Sequence, residues 1–250
     1  MPIHLGTSGY SYAHWKRLFY EGVPTKDWLG RYASVFRTVE LNNTFYRLPT
    51  PEMVDGWRRH TPPGFVFACK GSRFLTHMKR LLDEGEGIDK YFKLVSRLGK
   101  KLGPVLWQLP PQMNKADPGR LEAFLERLPA KTRYAFEFRS EAWYSHDVTR
   151  VLDRHGAAFC EHDAVRRQPP ELTGGWRYLR FHGASAKYSG RYGAEALQPY
   201  ARELIGWTAR TGGDVFVYFN NDLHGHALMD ALDFSELIGE PLALELHEAR

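Results

Sequence analysis

Short apolar runs in this chain end, one after another, in residues that can move protons or hold charge. The stretch "VELNNTFYRLP" (39–49) begins like a buried strand, then presents Glu40, Asn42, Asn43, Thr44 and Arg47 in quick succession. "FEFRS" sets Glu137 two residues before Arg139, and "LRFHG" sets Arg180 two before His182. In an extended strand each of these pairs shares one face. Carboxylates and imidazoles are the groups most often tuned for general acid/base work, so Glu40, Glu137 and His182 are the candidate catalytic residues. Lys70, Arg139 and Arg180 suit an anion, and a guanidinium can grip phosphate with two parallel bonds. Asn42, Tyr46, Gln108, Trp143, Asp163, Asn220 and Asn221 are candidates for orienting a substrate beside them.

A wider set of cations (Arg47, Arg73, Lys187, Arg191) and rings (Tyr10, Tyr12, Trp15, Tyr188, Tyr192) falls in the same segments. Cations hold phosphate while ring faces stack on bases or sugars. The bland alternative is equally physical: a buried carboxylate needs a partner, and these acids and bases can simply neutralise one another. A divalent metal is the weaker reading. Glu137, His162, Asp163, His182, Asp222, His224 and His77 are of ligand type, but no tightly spaced metal motif is present. No cofactor is therefore expected. Cys69 and Cys160 sit in apolar runs and read as packing residues, and Ser8 lacks a nucleophile-elbow motif.

The elements that must carry these groups follow from an alternation of strand-like and helix-like segments. Eight short runs rich in Val, Phe, Leu and Tyr lie at 3–7, 38–41, 65–69, 104–109, 134–138, 157–160, 178–181 and 215–219. Such runs suit strands buried on both faces. Amphipathic stretches at 25–36, 50–60, 88–101, 118–128, 145–155, 194–210 and 223–237 predict helices between them, with Thr50 and Pro51 a strong start signal. Pro169, Pro170 and the paired glycines predict a loop over 164–175. Eight strands with helical crossovers in 250 residues predict an α/β fold of one domain, 1–250, a single (β/α)8 TIM barrel. A doubly wound sheet is the rival, but its Gly-x-Gly-x-x-Gly turn is missing after strand one. In a barrel the strand-end groups above would share one rim.

Composition is ordinary for a globular chain, and a formal net charge of +5 is too small to imply an anionic partner unless the charges converge. Two cysteines, no signal-peptide pattern at the N-terminus and no long apolar stretch predict a cytoplasmic protein with no membrane partner.

Together, "GTSGYSYAHW", "VELNNTFY", Lys70 with "THM" at 76–78, "WQLPP", "FEFRSEAW", "RFHG" and "YFNND" resemble the YecE-like family, a domain of unknown function (DUF72). The resemblance spans nearly the whole chain in order and implies a TIM-barrel fold. It brings no established reaction, only a fold-level analogy to barrel sugar isomerases and abasic-site endonucleases. His224 and His226 lie outside its pattern. The expectation is an enzyme acting on a phosphate-bearing substrate, a sugar phosphate or a nucleic-acid phosphodiester, of isomerase or phosphodiester-hydrolase type. The alternative is a non-catalytic module that binds nucleic acid or a nucleotide. A glycosidase is a distant third, because strand seven offers Arg and His where a facing acid would be needed.

Overall fold

The computed structural model describes residues 3–82, 85–185 and 188–243, which leaves Lys187 outside the described residues. Nine parallel strands among them make two sheets. One holds β1 (Ile3–Thr7), β9 (Val215–Phe219), β8 (Arg177–Phe181) and β7 (Glu161–His162) in that order. The other holds β2 (Thr38–Leu41), β3 (Val66–Lys70), β4 (Leu102–Leu109), β5 (Tyr134–Phe138) and β6 (Ala158–Phe159). The helices between strands include α4 (Pro51–Arg59), α5 (Glu86–Val95), α6 (Pro118–Glu126), α7 (His146–Arg154), α8 (Gly193–Thr211) and α9 (His226–Leu237), with single turns α1 (Trp15–Leu18) and α3 (Asn43–Tyr46) and the short α2 (Trp28–Ala33). No helix among the described residues is long and apolar enough to cross a membrane.

Local chemistry starts these helices where the sequence indicates. Thr50 Oγ1 accepts the Met53 amide at 3.3 Å, with Pro51 at the first helical position. Asp117 Oδ1 does the same for Arg120 at 2.9 Å ahead of Pro118. These bonds satisfy amides that a helix start otherwise leaves without acceptors. The proline-rich stretch 164–175 forms turns without a helix, as its composition implies.

Alternate strand residues face two different cores. The outward set, such as Phe67, Trp107, Phe136 and Val217, packs beneath the helices. The inward set, Ala68, Leu106, Ala135, Ala158, Tyr178, Phe216 and Tyr218, forms a second core to which both sheets contribute. The next inward position toward each strand's C-terminal end carries the polar groups, so registers such as Gln108 opposite Glu137 and His162 opposite Arg180 bring them level.

The single closed (β/α)8 barrel expected from the sequence is corrected by this topology. The sheets are separate, of four and five strands, and the strand read at 157–160 ends at Phe159, with a further strand, β7, beginning just beyond it at Glu161. Cys160 lies between the two: Phe159 pairs in the β5 sheet, whereas Glu161 pairs with β8. The other seam lies between β1 and β2, which share only an isolated bridge from Ser8 to Glu40. There the Tyr32 hydroxyl is wedged between the strands. It accepts the Thr7 amide at 3.0 Å and donates to the Thr38 carbonyl at 3.1 Å. A side chain from α2 thus takes the bonds that a continuous ladder would make, and periodicity cannot reveal such a substitution.

Candidate functional site

Arg180 stands at the centre of the inward polar layer, fully buried on β8. Its Nη2 donates to Glu40 Oε1 at 2.7 Å and its Nη1 to Glu137 Oε2 at 2.5 Å, joining β2 to β5 through one guanidinium. The remaining oxygen of Glu40 accepts the Tyr178 hydroxyl at 2.6 Å, and that of Glu137 accepts Arg139 Nε. All four carboxylate oxygens are therefore engaged. A desolvated carboxylate is tolerated only when paired and hydrogen-bonded in this way. Burial pushes the Glu137 carboxyl up, but Arg180, Arg139 and His182 outweigh it and hold the group well below the usual carboxylate range.

His182 extends the network. Arg139 Nη2 lies 3.0 Å from its Nε2, and the Asn220 amide 2.9 Å from its Nδ1. Arg139 Nη2 and Asn220 Nδ2 both present N–H groups to the ring, and a neutral imidazole, with one lone-pair nitrogen, accepts from only one of them at a time. Burial, aided by both arginines and opposed by Glu137, lowers this imidazole to about 3, which keeps it neutral at physiological pH. Its backbone amide donates to Asp163 Oδ1 at 2.9 Å, and Asp163 Oδ2 accepts the Tyr192 hydroxyl. Gln108, Arg139, Asp163 and His182, with Pro111 and Tyr188, line a cavity of about 460 Å³ over this layer.

Lys70 ends β3 with 7 % exposure, its Nζ 4.4 Å from the centre of the Phe45 ring. Burial, the leading cause, and the nearby Arg180 and Arg139 lower its pKa to about 8, against the pull of Glu137 and Glu40. Phe45 also lines a wider cleft of about 840 Å³ with Tyr46, Arg47, Arg73, Phe74, Met78 and Lys79. Tyr46 is 75 % exposed there.

The structure thus gathers Glu40, Glu137, Arg139, Arg180, His182, Lys70, Gln108, Asp163 and Asn220 into one layer. Four other candidates stand elsewhere. Trp143 is fully buried, stacked on Phe138, and donates to the Met113 carbonyl at 2.6 Å. Asn221 donates to the Gly190 carbonyl and to Asp230, tying loops together. Tyr46 belongs to the wider cleft. Asn42 donates to the Ser8 carbonyl at 3.1 Å, and its buried Oδ1 has no partner. Tyr178 is the site residue that sequence reasoning missed. Its position two before Arg180, on the same strand face, was the available signal.

Of the candidate metal ligands, Glu137, His162 and His182 lie with ligand atoms within 4.8 Å of one another. Both nitrogens of His162 already have partners: Nε2 lies 3.0 Å from the Phe138 carbonyl, and Nδ1 accepts the Ala164 amide at 3.2 Å. With both Glu137 oxygens on guanidinium groups, the trio as folded is arranged for hydrogen bonding among protein groups.

A family model described as protein of unknown function DUF72 matches residues 4–249. The UPF0759 protein YecE of Escherichia coli K12 is 30% identical over 242 residues, covering 86% of each chain. The UPF0759 protein YunF of Bacillus subtilis is 25% identical over 246 residues, covering 84% of this chain and 86% of its own. Among solved structures, a DUF72 family protein from Thermotoga maritima superposes with a TM-score of 0.84 at 29% identity, covering 95% of this chain and 99% of that one. A DUF72 family protein from Enterococcus faecalis has a TM-score of 0.81 at 20% identity over 99% of this chain and 98% of its own, a likeness of fold alone.

Proposed function

This chain belongs to the DUF72 family, and from its own site we propose that it is an enzyme acting on a small sugar phosphate held in the cavity between Gln108, Arg139 and His182. The observation that carries this reading is the Arg139 guanidinium, which lines the cavity above the polar layer. Glu40, Glu137 and Asp163 are matched by Arg180, Arg139 and a protonated Lys70, so the layer's own charges cancel, and Arg139 is the cation that lines the cavity. A partly desolvated guanidinium attracts an anion more strongly than the same group does in water. Arg139 lines the wall and contacts the phosphate, while the buried Arg180 fixes the two carboxylates. His182, neutral and held by Arg139 and Asn220, orients the substrate's hydroxyl or carbonyl groups and carries no charge of its own. A cavity of about 460 Å³ suits a ligand of this size.

Calorimetric titration with fructose 6-phosphate and fructose, and with further phosphorylated and unphosphorylated sugar pairs, tests the reading. At least tenfold tighter binding of the phosphorylated partner, lost in Arg139→Gln, is expected. Equal binding within every pair would overturn it.

The wider cleft supports a second reading, that of a nucleic-acid-binding surface. Exposed Tyr46, Phe74 and Met78 offer stacking faces among Arg47, Arg73 and Lys79. Such surfaces bind single strands with strong salt dependence. Fluorescence anisotropy with a labelled oligonucleotide, in low and high salt, decides it. No binding at low salt removes this reading.

A further inference from the structure

Of all the charged groups in the polar layer, Lys70 is the one whose ammonium has no acceptor. The four oxygens of Glu40 and Glu137 are taken by Arg180, Arg139 and Tyr178. Among the described residues, Lys70 Nζ makes no hydrogen bond or ion pair. It rests 4.4 Å from the Phe45 ring centre. Its main chain is held firmly all the same: the Lys70 carbonyl accepts the Thr44 hydroxyl at 2.7 Å and the Tyr91 hydroxyl at 3.3 Å. A chain that fixes the strand end so closely, yet leaves the amine unbonded, is unusual for a structural lysine, since buried charges are normally paired.

We propose that Lys70 Nζ is a nucleophile that condenses with the carbonyl carbon of an aldose or ketose phosphate to form a Schiff base. The inference deepens the sugar-phosphate reading above and rests on it for the substrate class. In the step, the neutral amine adds to the carbonyl carbon to give a carbinolamine. The C–O bond then breaks, the C=N bond forms, and the oxygen leaves as water carrying both protons of the amine. Oxidation states are unchanged and no co-reactant is needed.

The surroundings match what such an amine requires. A lysine becomes nucleophilic when it is desolvated or set beside other cations, and both conditions hold here, with Arg180 and Arg139 as the cations. With its pKa near 8, about a tenth of Lys70 is neutral at pH 7, against a few parts in ten thousand for an ordinary lysine. The groups acting on it are Glu40 from the adjoining β2, Glu137 and Arg139 from the end of β5, and Arg180 from β8 across the interior. Lys70 acts in turn on His77, which packs edge-on against Phe45 at 5.1 Å and which burial, Lys70 and Arg73 lower to about 4. Position fits as well. Lys70 sits behind the walls of both openings: the Phe45 ring that its Nζ faces lines the 840 Å³ cleft, and Gln108, on the adjoining strand, lines the 460 Å³ cavity.

Borohydride trapping tests the proposal on the intact protein. The chain is incubated at pH 7 with dihydroxyacetone phosphate, glyceraldehyde 3-phosphate or unphosphorylated dihydroxyacetone, reduced with sodium borohydride, and mapped by peptide mass spectrometry. The expected result is one dominant adduct on Lys70, formed at least tenfold faster than on an exposed lysine such as Lys26, and absent in Lys70→Arg. Adducts spread over surface lysines with Lys70 unmodified would overturn it, and wild-type mapping gives that answer whether or not the variant folds. If a sugar phosphate binds saturably yet never forms the Lys70 adduct, the nucleophile fails while the phosphate pocket stands. If unphosphorylated dihydroxyacetone labels Lys70 as fast as its phosphate, the nucleophile stands and the phosphate reading fails.

Discussion

Replacing Lys70 by methionine keeps an unbranched side chain over the Phe45 ring and deletes the charge that burial disfavours. At pH 7 the amine is protonated in both the folded and unfolded chain, so wild type carries the whole penalty of burying it. The drop from 10.5 to about 8 corresponds to about 3 kcal/mol. Because the folded-state pKa lies below the unfolded one, the unfolded chain binds the extra proton between pH 8 and 10.5. Wild-type stability from this group therefore rises with pH across that window and is flat below it. Lys70→Met should thus be more stable than wild type by about 3 kcal/mol at pH 7, and by about 1 kcal/mol at pH 9.5. Urea unfolding at both pH values, with midpoints multiplied by a common slope, measures the difference. A variant less stable than wild type at pH 7 would refute the reasoning, as would a difference that ignores pH. A site residue that costs stability is what a functional constraint produces.

Three further outcomes follow from the same geometry. Glu137→Ala leaves the buried Arg180 with one counter-ion and strips Arg139 of its anchor, so it should cost about 3–5 kcal/mol in urea unfolding. Tyr32→Phe removes the hydroxyl bridging Thr7 and Thr38 across the β1–β2 seam and should cost about 2 kcal/mol; an unchanged thermal midpoint would show the seam to be held otherwise. Gly71→Ala would place a Cβ 2.1 Å from the Trp107 ring directly after Lys70, and should cost about 2–3 kcal/mol or more in the same unfolding assay.

Much of the scaffold is legible in the sequence because its signals are local. The run 134–138 is β5 to the residue, and Thr50–Pro51 starts α4 as its side-chain chemistry requires. The polar layer is legible too, since residues two apart on a strand share a face. That spacing alone groups Arg180 with His182 and Glu137 with Arg139. What pairs with what is hidden, because the Arg180–Glu40 and Arg180–Glu137 bonds span 140 and 43 residues. Sequence order therefore carries no warning that Arg180 is enclosed by carboxylates or that Lys70 is left without an acceptor. The closed eight-stranded barrel failed for a related reason. Strand count and alternation do not register one tyrosine hydroxyl wedged into a seam, nor one cysteine splitting a strand between two sheets.

The most direct test of the site is an NMR titration of the Lys70 side chain in isotope-labelled protein, with and without a saturating sugar-alcohol phosphate, which has no carbonyl for the amine to condense with. The account predicts a midpoint near pH 8 in the free protein and a higher one with the phosphate bound, because the added anion favours the ammonium. A midpoint at the ordinary lysine value, unmoved by any sugar-alcohol phosphate, would contradict it.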